Sequence, residues 1–169
     1  MRRGLFIGKF QPYLKTHRTV IEHMANEVDE IIIGIGSAQT SHELNQPFTA
    51  GERVLMISRD LYDFPKPIYV IPIEDIKRNS LWVSHVISMV PEFSVVYTSN
   101  RLIERLFREA GFDVHSPFDW CTSERITQNE WCSLVLSNGD WKRYISESAV
   151  RVIEEIDGVC RMIQLSKHD

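Results

Sequence analysis

Up to about residue 115, short apolar runs alternate with helix-length amphipathic segments. This is the pattern of βαβ units laying down a parallel sheet. It predicts strands over Gly4 to Gly8, Glu30 to Gly36, Ile68 to Ile73, Ser94 to Thr98 and Asp113 to His115. Between them it predicts helices over about Thr16 to Asn26, Ala50 to Leu61, Leu81 to Val90 and Arg101 to Ala110. Two of these helices carry local boundary signals. Thr49-Ala50-Gly51-Glu52 reads as a capping box, in which a hydroxyl and a carboxylate three residues apart satisfy each other's backbone N–H groups. Gly111 stands where a left-handed residue is wanted to end the fourth helix.

Beyond residue 115 the pattern is helical alone. Thr127-Gln128-Asn129-Glu130 is a second capping box opening a short helix, Gly139 can end it, and Ser146 can cap a last helix running toward Gly158. No Pro/Gly/Ser-rich linker, low-complexity tract or internal repeat divides the chain. The expectation is one α/β domain over residues 1–169, with a sheet core over about 1–116 and a helical part over about 117–169 packed beside it.

Composition adds exclusions. A chain of 169 residues can bury a core without a metal or disulfide staple. Its 43% hydrophobic and 25% charged residues are those of an ordinary soluble globular protein. With a formal net charge of -4 and no Lys/Arg run, nucleic acid is not an expected partner. Cys121, Cys132 and Cys160 match neither a CxxC redox pair nor a zinc motif, which points to buried or idle thiols in a reducing cytoplasm. Met1-Arg2-Arg3 resembles a signal n-region only until Lys9 and Gln11 break the apolar stretch behind it. No run approaches the roughly 18 apolar residues of a membrane span, so no membrane partner is expected.

Candidate chemistry is concentrated in Gly8-Lys9-Phe10-Gln11-Pro12-Tyr13-Leu14-Lys15-Thr16-His17, between the first strand and the first helix. Ligands of open α/β sheets bind beyond the carboxyl ends of the strands, where a helix N-terminus offers unpaired N–H groups and a positive dipole to a phosphate. Gly8, Phe10, Pro12 and His17 match the nucleotidyltransferase signature Gly-(Arg)-Phe-x-Pro-x-(His/Thr)-x-Gly-His. Gly36-Ser37-Ala38-Gln39, Ser41-His42, the run Pro47 to Arg53, Ile71-Pro72-Ile73 and Asp75-Ile76 extend the match. So do Asn79-Ser80-Leu81-Trp82-Val83, Asn100 and Asn138-Gly139-Asp140-Trp141. Over about residues 4 to 160 the chain resembles the archaeal nicotinamide mononucleotide (NMN) adenylyltransferases.

That resemblance implies a Rossmann-like parallel sheet flanked by helices, the nucleotidyltransferase fold, with a small C-terminal helical part. It implies transfer of AMP from ATP to NMN, giving NAD and pyrophosphate, with magnesium carried by ATP and no metal held by the protein. His17 and Lys9 would be catalytic. Gly8, Phe10, Gln11, Thr16, Asn100, Thr127 and Asn129 would bind the nucleotide, and Asn79, Trp82 and Ser37 the nicotinamide. NMN, NAD and ATP are the implied ligands, and a homo-oligomer, commonly a hexamer in relatives, is the implied assembly.

Against the same pattern, Leu14 replaces a His or Thr, Thr16 a glycine, and Asn45 and Cys132 arginines, while Lys9 keeps an arginine's charge without its fork. Losing one aligned donor costs about 3 kcal/mol of transition-state stabilisation. Three functions therefore stand open: a weakened adenylyltransferase, a non-catalytic NMN/NAD-binding or regulatory protein, and a nucleotidyltransferase for another acceptor, against which Asn79-x-x-Trp82 argues. Residue by residue, Gly8 can be a strand-end turn, Lys9 a solvated charge, and His17 a partly exposed helix residue. Trp82 can fill core, Asn79 a turn, and Thr127 and Asn129 a helix cap, while Arg53 can pair with a carboxylate or touch substrate. His42 is a further pocket candidate.

Overall fold

In the computed structural model, which describes residues 1–121 and 125–168, five strands pair in parallel in the order β3-β2-β1-β4-β5. They are β1 (Arg3–Gly8), β2 (Glu30–Ile35), β3 (Ile68–Pro72), β4 (Val95–Tyr97) and β5 (Asp113–His115). Each lies within a residue or so of its expected span. The chain starts in the middle, moves outward through β2 and β3, and returns to place β4 on the other side of β1. The strand order therefore reverses between β1 and β4, where Phe6 pairs with Tyr97. Such a switch point leaves a crevice beyond the carboxyl ends of the strands.

Side-chain alternation along the strands feeds two cores. Ile31, Ile33 and Ile35 of β2 point into one, with Phe6 of β1 and Tyr97 of β4. Ile32 points into the other, with Leu5, Ile7 and Val96. Helices α3 (Trp82–Met89) and α4 (Arg101–Glu109) cover the second, smaller core. The first is covered by α1 (Lys15–Met24), α2 (Ala50–Asp60) and the C-terminal helices α5 (Gln128–Leu136), α6 (Glu147–Glu155) and α7 (Gly158–Ser166). The architecture is the expected α/β sheet flanked by helices, and both capping boxes form as expected at Thr49 and Thr127.

Two expectations about the helical tail are corrected. Gly139 does not supply the left-handed residue after α5: Asn138 does, at φ 55°, and Gly139 follows, donating its N–H to the Leu134 carbonyl at 2.8 Å. Asparagine tolerates this region because its short amide can bond locally. Nor does the helix capped by Ser146 run to Gly158. It ends at Glu155, Asp157 turns the chain at φ 53°, and α7 begins. A Cβ at Gly158 would lie 3.1 Å from Ile153 and 3.2 Å from the Phe48 ring, so a larger residue there would press on both. Arg161 of α7 then grips Glu52 at both carboxylate oxygens, at 2.7 and 2.8 Å, and the Pro47 carbonyl at 3.0 Å.

Candidate active site

A cavity of about 530 Å3 opens at the switch point. Its wall takes Gly8, Lys9 and Phe10 from the end of β1, Ser37 from the end of β2 and Asn100 from beyond β4. The starts of three helices complete it: Thr16 and His17 of α1, Trp82 of α3, and Thr127, the cap of α5. Since α1 and α3 lie on opposite faces of the sheet, the cavity straddles the sheet's edge, with His17 toward one face and Trp82 toward the other.

His17 sits at this edge among the rings of Phe6, Phe10 and Tyr13, with centroids 4.8 to 6.1 Å away. Its Nδ1 accepts the Leu14 N–H at 2.8 Å. A backbone amide only donates, so the neutral ring carries its proton on Nε2 and has one donor left to offer. Burial pushes the imidazole down to about 4, so it is neutral at pH 7. A neutral donor is suited to meeting charge as it develops on an oxygen.

The starts of α1, α4 and α5 differ in what covers them. Thr127 caps α5, its hydroxyl accepting from Glu130 at 3.2 Å, and Asn100 caps α4, its Oδ1 accepting from Leu102 and Ile103 at 2.9 and 3.2 Å. Leu14 precedes α1 without any side-chain acceptor. The α1 terminus, beside His17, is thus the end best left to an incoming anion.

Several sequence candidates in the wall have defined surroundings within the fold as well. Gly8 carries the Phe10 ring, which would lie 3.2 Å from any Cβ there. Gln11 is buried, and its amide donates to the Phe48 carbonyl at 2.8 Å and accepts the Phe48 N–H at 2.9 Å, so both ends are occupied. Ser37 donates its hydroxyl to Asp75 at 2.6 Å. Trp82 is 5% exposed and meets Phe107 edge-on at 6.0 Å, so it is a core residue that also borders the cavity. Lys9 is exposed at the rim.

Asn79 and Asn129 lie outside this wall. Asn79 is exposed in the 3-10 turn Asn79–Leu81, where its carbonyl accepts the Trp82 N–H. Asn129 lines a second cavity of about 640 Å3, together with His42, Asn45 and Cys132. The two positions at which the resemblance places arginines, Asn45 and Cys132, are thereby brought together from 87 residues apart in the chain. Cys132 donates its thiol to the Leu44 carbonyl at 3.6 Å, and burial pushes it up to about 11.

The structure gives three further residues a definite place at or beneath the site. Asp75 lines the cavity and ties Ser37 to Gln39. Arg125 lines the opposite end, its Nε donating to the Cys121 carbonyl. Arg53 is fully buried and follows neither alternative open to it: its guanidinium donates to five backbone carbonyls, not to a carboxylate or into the cavity. An arginine after a capping box is the only sequence signal, and it does not distinguish these partners.

Comparison with known proteins gives a consistent picture. Residues 5–155 match the cytidylyltransferase-like family. The nicotinamide-nucleotide adenylyltransferase of Methanocorpusculum labreanum is 52% identical over 169 residues, covering all of both chains. That of Archaeoglobus fulgidus is 48% identical over 178 residues, covering 99% of each. Among solved structures, a bifunctional NMN adenylyltransferase/ADP ribose pyrophosphatase from Francisella tularensis, complexed with AMP and a manganese ion, superposes with a TM-score of 0.78 at 19% identity. It covers 99% of this chain, which spans 53% of that longer one, and the likeness is one of fold.

Proposed function

We infer function from the premise that this chain belongs to the cytidylyltransferase-like family, among the archaeal nicotinamide-nucleotide adenylyltransferases. Its activity is the synthesis of NAD from NMN and ATP. A 5′-phosphate oxygen of NMN attacks the α-phosphorus of ATP. As that bond forms, the bond from the α-phosphorus to the oxygen bridging to the β-phosphorus breaks, and pyrophosphate leaves.

The observation that carries the assignment of roles is His17, a neutral Nε2 donor at the uncapped start of α1, in a cavity whose far wall is Trp82 on the opposite face. In this reading His17 donates to the α-phosphate as negative charge builds there. The first turn of α1 and Lys9 hold phosphate oxygens, and Trp82 flanks the nicotinamide. The rest of the protein's contribution is alignment of the attacking and leaving oxygens. Magnesium carried on ATP would supply neutralisation of phosphate charge. Among the described residues no group of three His, Cys, Asp or Glu side chains is placed to hold a metal ion.

A second reading is favoured by Leu14, Asn45 and Cys132. Leu14 puts an apolar side chain in the main cavity wall, and the other two leave the second cavity without the arginines expected there. We propose that the grip on the triphosphate is weakened, so that the chain turns over slowly or holds NMN and NAD as a binding protein. Calorimetry with NMN, NAD, ATP and CTP, followed by a pyrophosphate-release assay, tests both readings. Nicotinamide nucleotides are expected to bind more tightly than ATP, and tight ATP binding without heat from NMN or NAD overturns this division of the site. A homo-oligomer, cytoplasmic by the composition, is the proposed assembly, checked by light scattering. No helix among the described residues is long and apolar enough to cross a membrane.

A further inference from the structure

We propose that Arg53 is a positioning residue: its guanidinium fastens the loop after β1 to the loop after β2 and so fixes the backbone that lines the nucleotide cavity. The inference rests on reading that cavity as the nucleotide site. Nη1 donates to the carbonyls of Lys9 at 2.8 Å and Gly36 at 3.0 Å. Nη2 donates to Ser37 at 3.2 Å and Thr40 at 3.4 Å, and Nε to Thr49 in its own helix cap at 3.2 Å. A guanidinium has five N–H donors in a rigid plane, and here they meet five acceptors. Lysine, with three donors on a point charge, cannot span them.

The clasped carbonyls lie where the backbone is least able to hold itself. Phe10, directly after Lys9, has φ 52°, and Ser37 has φ 48°. A non-glycine residue in the left-handed region costs about 1–3 kcal/mol and persists only when its surroundings over-determine it. Lys9, Phe10, Gly36 and Ser37 all line the cavity. Arg53 therefore holds both strained turns from beneath, at a fixed separation, without facing the ligand. It is fully buried, yet burial lowers it only to about 10, so it remains a cation at neutral pH.

The control lies one residue away. Arg161 clasps Glu52 and the Pro47 carbonyl on the outer side of the same helix start, without lining the cavity. Arg161→Gln thus removes a comparable set of bonds with no direct effect on the two turns. Arg53→Lys and Arg53→Gln would be compared with it by thermal melting, hydrogen exchange of residues 8–11 and 36–40, and NMN calorimetry. Arg53→Lys is expected to speed exchange in both turns and weaken NMN by about tenfold each. Arg161→Gln should lower the melting temperature and leave both readouts near wild type. Equal behaviour of Arg53→Lys and Arg161→Gln, or tight NMN binding by Arg53→Lys, overturns the proposal. Should wild type bind no NMN, the reading of the site fails, and unchanged exchange in the two turns would still overturn the role of Arg53. If Arg53→Gln does not fold, Arg53→Lys decides alone; if that also fails, Arg53→Ala with added methylguanidinium does, and protected turns without the additive overturn it.

Discussion

The two faces of the sheet meet at one cavity and bring different walls to it. On the α3 and α4 face the wall is core: Trp82 packs on Phe107, which in turn meets Phe93 and Phe112. On the α1 and α5 face the wall is made of helix beginnings, where His17, Leu14 and Thr127 each stand within a turn of a helix start. A wall that is also core resists change, because any substitution there is felt in stability. A wall of helix starts can exchange polar for apolar residues and gain by it. Leu14, in that wall, is 6% exposed and belongs to the larger core, as does Cys132 further along α5. Fully burying a leucine side chain is worth about 1.5–3 kcal/mol of stability.

The largest effect expected from this contrast is on the Trp82 wall. Trp82→Ala should cost about 3–5 kcal/mol of stability in urea unfolding, the range for truncating a buried tryptophan, along with NMN affinity. Trp82→Phe, which keeps most of the packing, should separate the two. If Trp82→Ala leaves stability unchanged, the wall is not core and the contrast fails.

On the other face, His17→Ala should lower pyrophosphate release from ATP and NMN by about a hundredfold, or about 3 kcal/mol, with NMN affinity little changed. A loss of binding with unaltered turnover of bound substrate would place His17 in ground-state recognition instead.

The same residue sets a pH dependence. Unfolded, the imidazole protonates near pH 6.5; folded, burial holds it neutral down to about 4. The unfolded chain therefore takes up the proton first. This contribution to stability is fully present above about pH 6.5 and is lost as pH falls toward 4, by up to about 2–3 kcal/mol. Urea unfolding across that window should show the slope, and His17→Gln should flatten it.

The smallest expected effect sharpens the contrast most. Leu14→His together with Cys132→Arg should raise pyrophosphate release by about tenfold, about 1.4 kcal/mol, while lowering the melting temperature. The single variants are needed because the sites can couple. A gain in activity with a gain in stability would show that burial of Leu14 and Cys132 does not stabilise the fold. Faster turnover by wild type than by every restored variant would show that other groups hold the phosphates.

The strands, four of the helices and both capping boxes were legible because each depends on residues within a few positions of one another: a period of two or 3.6, or a Thr and Glu three apart. The motif from Gly8 to His17 was legible for the same reason, as was its place beyond the first strand. Asn138 and Asp157 were not, because glycine is the usual left-handed residue, and only packing against α5 and Phe48 decided that two side chains would take that role. The sequence by itself determined which residues could carry chemistry. Only the tertiary structure decided which do other work: Gln11 holding Phe48, Asn129 turned to a second cavity beside Asn45 and Cys132, and Arg53 clasping carbonyls from two loops. Long side chains reach partners tens of residues away, and a hydrogen bond to a distant carbonyl leaves no spacing in the chain from which it could be read.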